Sequence, residues 1–141
     1  MSKLGRYAAQ RRKVETLGTT AKTITVADCG TEFLVVQNGV AAIEHTLPSV
    51  AAAGQGWWCA FTLKTAVEHN NADVNIASAD GNVISGVEVG DAAAGIANQE
   101  KIIIEGNSAS VGTRVELWTD GSRWYATTAG VADGDITTSA A

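Results

Sequence analysis

The stretch Thr113-Arg114-Val115-Glu116-Leu117-Trp118-Thr119-Asp120-Gly121-Ser122-Arg123-Trp124-Tyr125-Ala126-Thr127-Thr128 decides the fold class. Two runs rich in β-branched and aromatic residues, Thr113 to Thr119 and Arg123 to Thr128, are separated by Asp120-Gly121-Ser122. Asp-Gly in that position favours a tight hairpin, because glycine accepts positive φ without steric cost. Trp118, Trp124 and Tyr125 flank the turn and make the hairpin unusually aromatic. They are read first as cross-strand packing partners, with an exposed platform for carbohydrate or another partner as the alternative.

Working outward, Trp57 to Lys64 reads as a second strong strand. Period two places Trp57, Cys59, Phe61 and Leu63 on a core face and Trp58, Ala60, Thr62 and Lys64 on the other. Trp58, on the more polar face, either covers an edge of the core or meets a partner. Further strands are expected at Thr23–Val26, which alternates polar and apolar, and at Glu32–Val36, a continuous apolar run. Ala42–Leu47, Asp73–Ala77, Val83–Val89 (with a bulge at Gly86) and Lys101–Glu105 complete the set. Asn38-Gly39 and Asp80-Gly81-Asn82 mark turns. Ser49–Gly56 reads as a broad loop or short helical turn, and Gly90–Asn98 as a loop. Eight or nine short strands at near-regular spacing predict an all-β, single-domain antiparallel β-sandwich, jelly-roll-like. The boundaries are residues 1–20 as an extended N-terminal arm, 21–130 as the β-sandwich, and 131–141 as a flexible C-terminal tail.

Composition agrees with this class. Apolar residues make up 45% and charged residues 18%, with Gly 15 and Pro 1. No apolar run approaches the roughly 18 residues of a membrane-spanning helix. The charged start Met1 to Tyr7 has no apolar core behind it, so a soluble, intracellular chain without membrane association is expected. Charge is placed unevenly. Lys3, Arg6, Arg11, Arg12 and Lys13 are five of the ten basic residues, with no acid among them; the remainder holds five basic and fifteen acidic residues. A basic arm on an acidic body suits clamping an acidic neighbour, including a second copy. Direct nucleic-acid binding is not expected, since the body would repel phosphate.

Signals for chemistry are weak. His45 and His69 lack metal-ligand spacing, and no metal or cofactor is expected. Cys29 and Cys59 have no CxxC spacing and read as two buried thiols acting as small hydrophobes, with a single disulfide as the alternative. No serine sits in a Gly-x-Ser-x-Gly elbow. Asp28, Asp73, Asp80, Asp91, Asp120, Asp133 and Asp135 fall at turns or strand ends, where they serve turn chemistry. Nothing selects a catalytic residue, and the chain is expected not to be an enzyme.

The succession Thr23-Ile24-Thr25-Val26-Ala27-Asp28-Cys29-Gly30-Thr31-Glu32-Phe33-Leu34, then Thr46-Leu47-Pro48, Ala53-Gly54-Gln55-Gly56-Trp57 and Phe61-Thr62-Leu63-Lys64-Thr65, resembles small bacteriophage virion proteins. The closing Val115 to Tyr125 hairpin has the same look. The resemblance covers roughly residues 21–128 and leaves out the basic arm. It implies a capsid decoration (cement) protein, a homotrimer on the outer surface of the head shell that bridges major capsid protein subunits. Its location would be the virion, and the host cytoplasm during assembly. Lys3, Arg6, Tyr7, Arg11, Arg12 and Lys13 are the expected capsid or subunit contacts; Trp58, Trp118, Trp124 and Tyr125 form a possible partner surface. The alternative is a tail-fibre or baseplate receptor-binding module recognising host-surface glycan.

Overall fold

The computed structural model describes residues 12–67, 69, 71–89 and 95–141. Among them, eleven strands form two mixed sheets, and helix is confined to single turns. In chain order these are β1 (Lys13–Thr16), a 3-10 turn (Val26–Asp28), β2 (Thr31–Val36), β3 (Ile43–Thr46), α1 (Val50–Ala53), β4 (Trp58–Thr65) and β5 (Val74–Ala77). Then follow β6 (Ile84–Val89), β7 (Gly95–Gln99), β8 (Lys101–Ile104), β9 (Arg114–Thr119), β10 (Trp124–Ala129) and β11 (Ile136–Ser139). The large sheet runs β1-β2-β4-β9-β10-β6-β7 and the small one β11-β8-β5-β3.

The expected hairpin is present. β9 and β10 pair antiparallel with Thr119 opposite Trp124. Asp120 orders the turn: its carboxylate accepts the N–H groups of Ser122 and Arg123, and the Ser122 and Tyr125 hydroxyls donate to it. The Ser122 bonds, with those from Tyr125 and Arg123, hold its pKa down at about 2. Gly121 supplies the positive φ, 93°.

One apolar cluster draws on both sheets. Trp57, Cys59, Phe61 and Leu63 are all buried, as period two requires. Phe33 stacks on Phe61 with centroids 5.2 Å apart, and Trp57 meets Trp124 edge-on at 5.5 Å. From the small sheet Val74, Ile76, Ile102, Ile104 and Ile136 close the cluster. Burying each such side chain contributes about 1.5–3 kcal/mol, and the aromatic pairs somewhat more.

Several expectations need correction. Pairing is mixed rather than antiparallel: β1–β2, β2–β4, β10–β6 and β3–β5 run parallel. The chain leaves the large sheet after β2, adds β3 to the small one and returns as β4, so β2 and β4 share a direction. Thr23–Val26 is not a strand; only Thr23 bridges to Thr46. The Asp28 carboxylate accepts the Thr25 N–H at 2.8 Å and its hydroxyl at 3.1 Å, a local alternative to a ladder that winds Val26–Asp28 into the 3-10 turn.

Part of the expected loop at Gly90–Asn98 is β7, an edge strand on β6 that buries Ile96. The register shift between Ile84 and Gly86 is the bulge expected at Gly86. Nor are the last residues a free tail, for β11 pairs antiparallel with β8 and buries Ile136. Asp135, itself buried, accepts the N–H groups of Val131 and Ala132 and so makes the turn into β11. At the other end, Lys13–Thr16 of the expected arm belongs to the large sheet.

Candidate functional site

The solvent side of the large sheet carries the densest chemistry. Register lines up Trp58, Trp118, Tyr125 and Ser85 across β4, β9, β10 and β6. The next row on the same face, two residues along, is Val14, Glu32, Ala60, Glu116, Thr127 and Val87. The third is Thr16, Leu34, Thr62, Arg114, Ala129 and Val89. An aromatic row thus lies beside rows that hold paired charges near their middle and valines at both sides.

Within the aromatic row, Trp118 and Tyr125 stack with centroids 4.7 Å apart and planes at 24°. Trp118 remains 48% exposed, while Trp58 and Tyr125 are half-buried. Gly30, at φ 76°, lies against the Trp58 ring, where a Cβ would come within 3.8 Å. Trp124 does not belong to this surface. It is fully buried against Trp57, because β10 turns alternate residues inward and Trp124 is one residue from Tyr125. That corrects its placement among the partner-facing aromatics.

Four charges abut the aromatic row. Glu32 lies between two guanidinium groups: Arg12 donates to its Oε2 at 3.0 Å, and Arg114 donates to its Oε1. The Thr62 hydroxyl donates to the same Oε1 at 2.8 Å. Arg114 reaches on to Glu116 Oε2 at 3.1 Å. Burial alone would raise the Glu32 carboxyl; bonds from Arg114 and Thr62 and the charges of Arg114 and Arg12 bring it below its usual value. Burial likewise opposes the charge of Arg114, and its bonds to Glu32 and Glu116 prevail to hold the proton more tightly. Arg12, Gly56, Trp58, Arg114, Glu116 and Trp118 line an open hollow of about 430 Å³. A second hollow of about 410 Å³ is formed by Ala66 and Gly106 to Val111, small residues without charge.

The expected contact residues separate into two groups. Lys3, Arg6, Tyr7 and Arg11 lie outside the described residues. Arg12 and Lys13 are described, and both engage the chain's own acids: Arg12 binds Glu32, while the Lys13 ammonium lies 3.9 Å from Asp28 and 3.4 Å from the Ala27 carbonyl. Lys22 shares Asp28 and bonds Glu15 at 2.6 Å. This start of the chain is therefore fastened to the body by ion pairs as well as by β1.

No family model matches the chain, and neither does any curated protein. Among the described residues no group of three or more His, Cys, Asp or Glu side chains is placed to hold a metal ion, and no helix is long and apolar enough to cross a membrane. The outer face sets aromatic surface beside fixed donors and acceptors. Sequence reading found Trp58, Trp118 and Tyr125 but missed Glu32, Thr62, Arg114 and Glu116. Their only signal was alternation, which puts each on the solvent side of its strand; which of them meet depends on strand order.

Proposed function

We propose that the protein is a bacteriophage capsid decoration (cement) protein, a non-catalytic homotrimer that docks on the outer head shell and bridges major capsid protein subunits. The observation that carries this reading is β1. It joins the basic N-terminal segment to the edge of the seven-stranded sheet by parallel pairing with β2 and by the Arg12–Glu32 ion pair. A load on the residues before it is thereby passed into a rigid sandwich rather than into a loose linker. Arg12 and Lys13 give part of their donors to Glu32 and Asp28 and anchor the segment, while Lys3, Arg6, Tyr7 and Arg11 extend the shell contact beyond them. Three arms per trimer would add weak contacts into high avidity and resist internal pressure.

The test is cryo-electron microscopy of virus particles that carry this chain, with binding of a variant lacking residues 1–11 to undecorated shells. Density for the sandwich on the outer head surface supports the reading, as does a loss of binding by the variant that is largest at low salt and narrows as salt screens the parent's ion pairs. Density at the tail tip, or full affinity without residues 1–11, overturns it.

A further inference from the structure

Tyr125 on β10 stacks against one side of the Trp118 indole, and β4 lies on the other side of β9 with Trp58 in register. The hollow of about 430 Å³ is therefore walled by both tryptophans and closed along one side by Arg12, Arg114 and Glu116. Its volume lies in the roughly 300–1,000 Å³ range of small-ligand sites. Those three groups are only partly used. Arg12 gives one nitrogen to Glu32, which leaves most of the five donors of its guanidinium. Glu116 receives Arg114 on Oε2, with Oε1 left to accept. Arg114 bonds Glu32, Thr62 and Glu116 through its two terminal nitrogens, three of its five donors.

Charge narrows the choice of ligand. Arg12 and Arg114 are balanced by Glu32 and Glu116, so the cluster has no net charge, and the chain as a whole carries −5. An anionic ligand meets Glu116 and the acidic body, whereas a cationic one meets Arg12 and Arg114. A neutral polyhydroxylated ring meets neither penalty. Its C–H face suits an indole, its hydroxyls donate to Glu116 and accept from Arg12 in place of water, and it brings no charge of its own to desolvate.

We propose that the Trp58–Trp118 hollow is a binding site for a neutral hexopyranosyl glycan. Glycan binding here is independent of shell docking: it uses the open sheet face and Arg12, not the segment before it.

Nuclear magnetic resonance reads this directly, because each of the four tryptophans carries one indole N–H reporter. The probes are maltohexaose, cellohexaose and chitohexaose, with oligogalacturonate as the acidic counterpart and a peptide of residues 1–11 as the competing occupant. At least one neutral oligosaccharide should move the Trp58 and Trp118 signals and leave buried Trp57 and Trp124 in place. Trp118→Ala should weaken that binding at least tenfold with the Trp57 and Trp124 signals retained. Arg12→Ala, at an exposed position, should weaken it several-fold and serves if the tryptophan variant does not fold. The proposal is overturned if no neutral oligosaccharide moves those two signals, or if oligogalacturonate binds as tightly. It is equally overturned if only the peptide moves them, which would make the hollow a dock for the chain's own basic segment.

Discussion

Gly86→Ala gives the sharpest test of the sheet that carries the site. β6 and β10 run parallel through six register pairs, with Gly86 opposite Ala126. A Cβ on Gly86 would fall 1.8 Å from the Ala126 carbonyl oxygen and within 2.8 Å of its nitrogen and carbonyl carbon. A carbon–oxygen contact needs about 3.3 Å, so the two strands must part by roughly 1.5 Å at the middle of the ladder. Overpacking of this kind costs about 1–3 kcal/mol, and each weakened ladder bond adds about 0.5–1.5. Against this, alanine narrows the unfolded ensemble and returns about 0.4–1 kcal/mol. The net expectation is a loss of about 3 kcal/mol.

Gly18 is the control, because a Cβ there meets nothing within 4 Å and its φ is not positive. Gly18→Ala should show the entropic gain alone, so the two variants differ in sign. Urea unfolding followed by tryptophan fluorescence measures both. With a slope of about 2 kcal/mol/M, Gly86→Ala should lower the midpoint by about 1.5 M, and its Tm by about 10 °C. A Gly86→Ala protein as stable as the parent would refute the close β6–β10 approach, and with it the register that aligns Tyr125 with Ser85. An equal fall in Gly18→Ala would show that the loss is not steric.

Three further outcomes follow from single contacts. Arg114→Met leaves Glu32 to Arg12 and Thr62 alone and should cost about 2 kcal/mol in the same urea assay, with a change below about 0.5 arguing that the cluster is solvated. His45 is buried, its Nδ1 accepts the Lys22 backbone N–H at 3.2 Å, and burial together with the Lys22 charge lowers its pKa. The unfolded chain therefore takes the proton first: stability should hold above pH 7, fall as pH drops through 6.5 toward the lower folded value, and lose that slope in His45→Phe. Burial pushes the Cys59 thiol well above its usual value, whereas Cys29, expected to be buried as well, is exposed and unbonded, so a thiol reagent should titrate one cysteine in the native protein and two in denaturant.

Local chemistry made most strands legible in the sequence. β4, β9 and β10 announce themselves by alternation and by Asp120-Gly121, and each lies within a residue or two of its expected span. The misreadings occur where a distant partner outweighs local preference. β7 is Gly-Ile-Ala-Asn-Gln, with little strand propensity, and it forms because β6 offers an edge and Ile96 a buried site. β11 forms for the same reason beside β8, with Asp135 arranging the turn before it. Thr23–Val26 shows the reverse: good alternation loses to the bonds that Asp28 offers three residues away.

The site was legible only by halves, and the division has a physical cause. A period of two tells which side of its own strand a residue takes, and on that ground the sequence separates Trp58 from Trp57. It does not tell which strands are neighbours. Glu32, Thr62 and Arg114 come from three strands separated by 30 and 52 residues, and they meet because β2 and β4 run parallel after the excursion through the small sheet. An antiparallel β2–β4 pair would reverse the order of residues along β2 and set another side chain opposite Ala60, leaving Glu32 elsewhere. The parallel pairing, which departs from the expected antiparallel order within the sandwich, is thus the feature that places Glu32 between Arg12 and Arg114 and gives the hollow its balanced charge. Trp124 misled for the complementary reason. It shares a turn and a composition with Tyr125, and only the direction of one pleat decides that it holds the core together while its neighbour faces out.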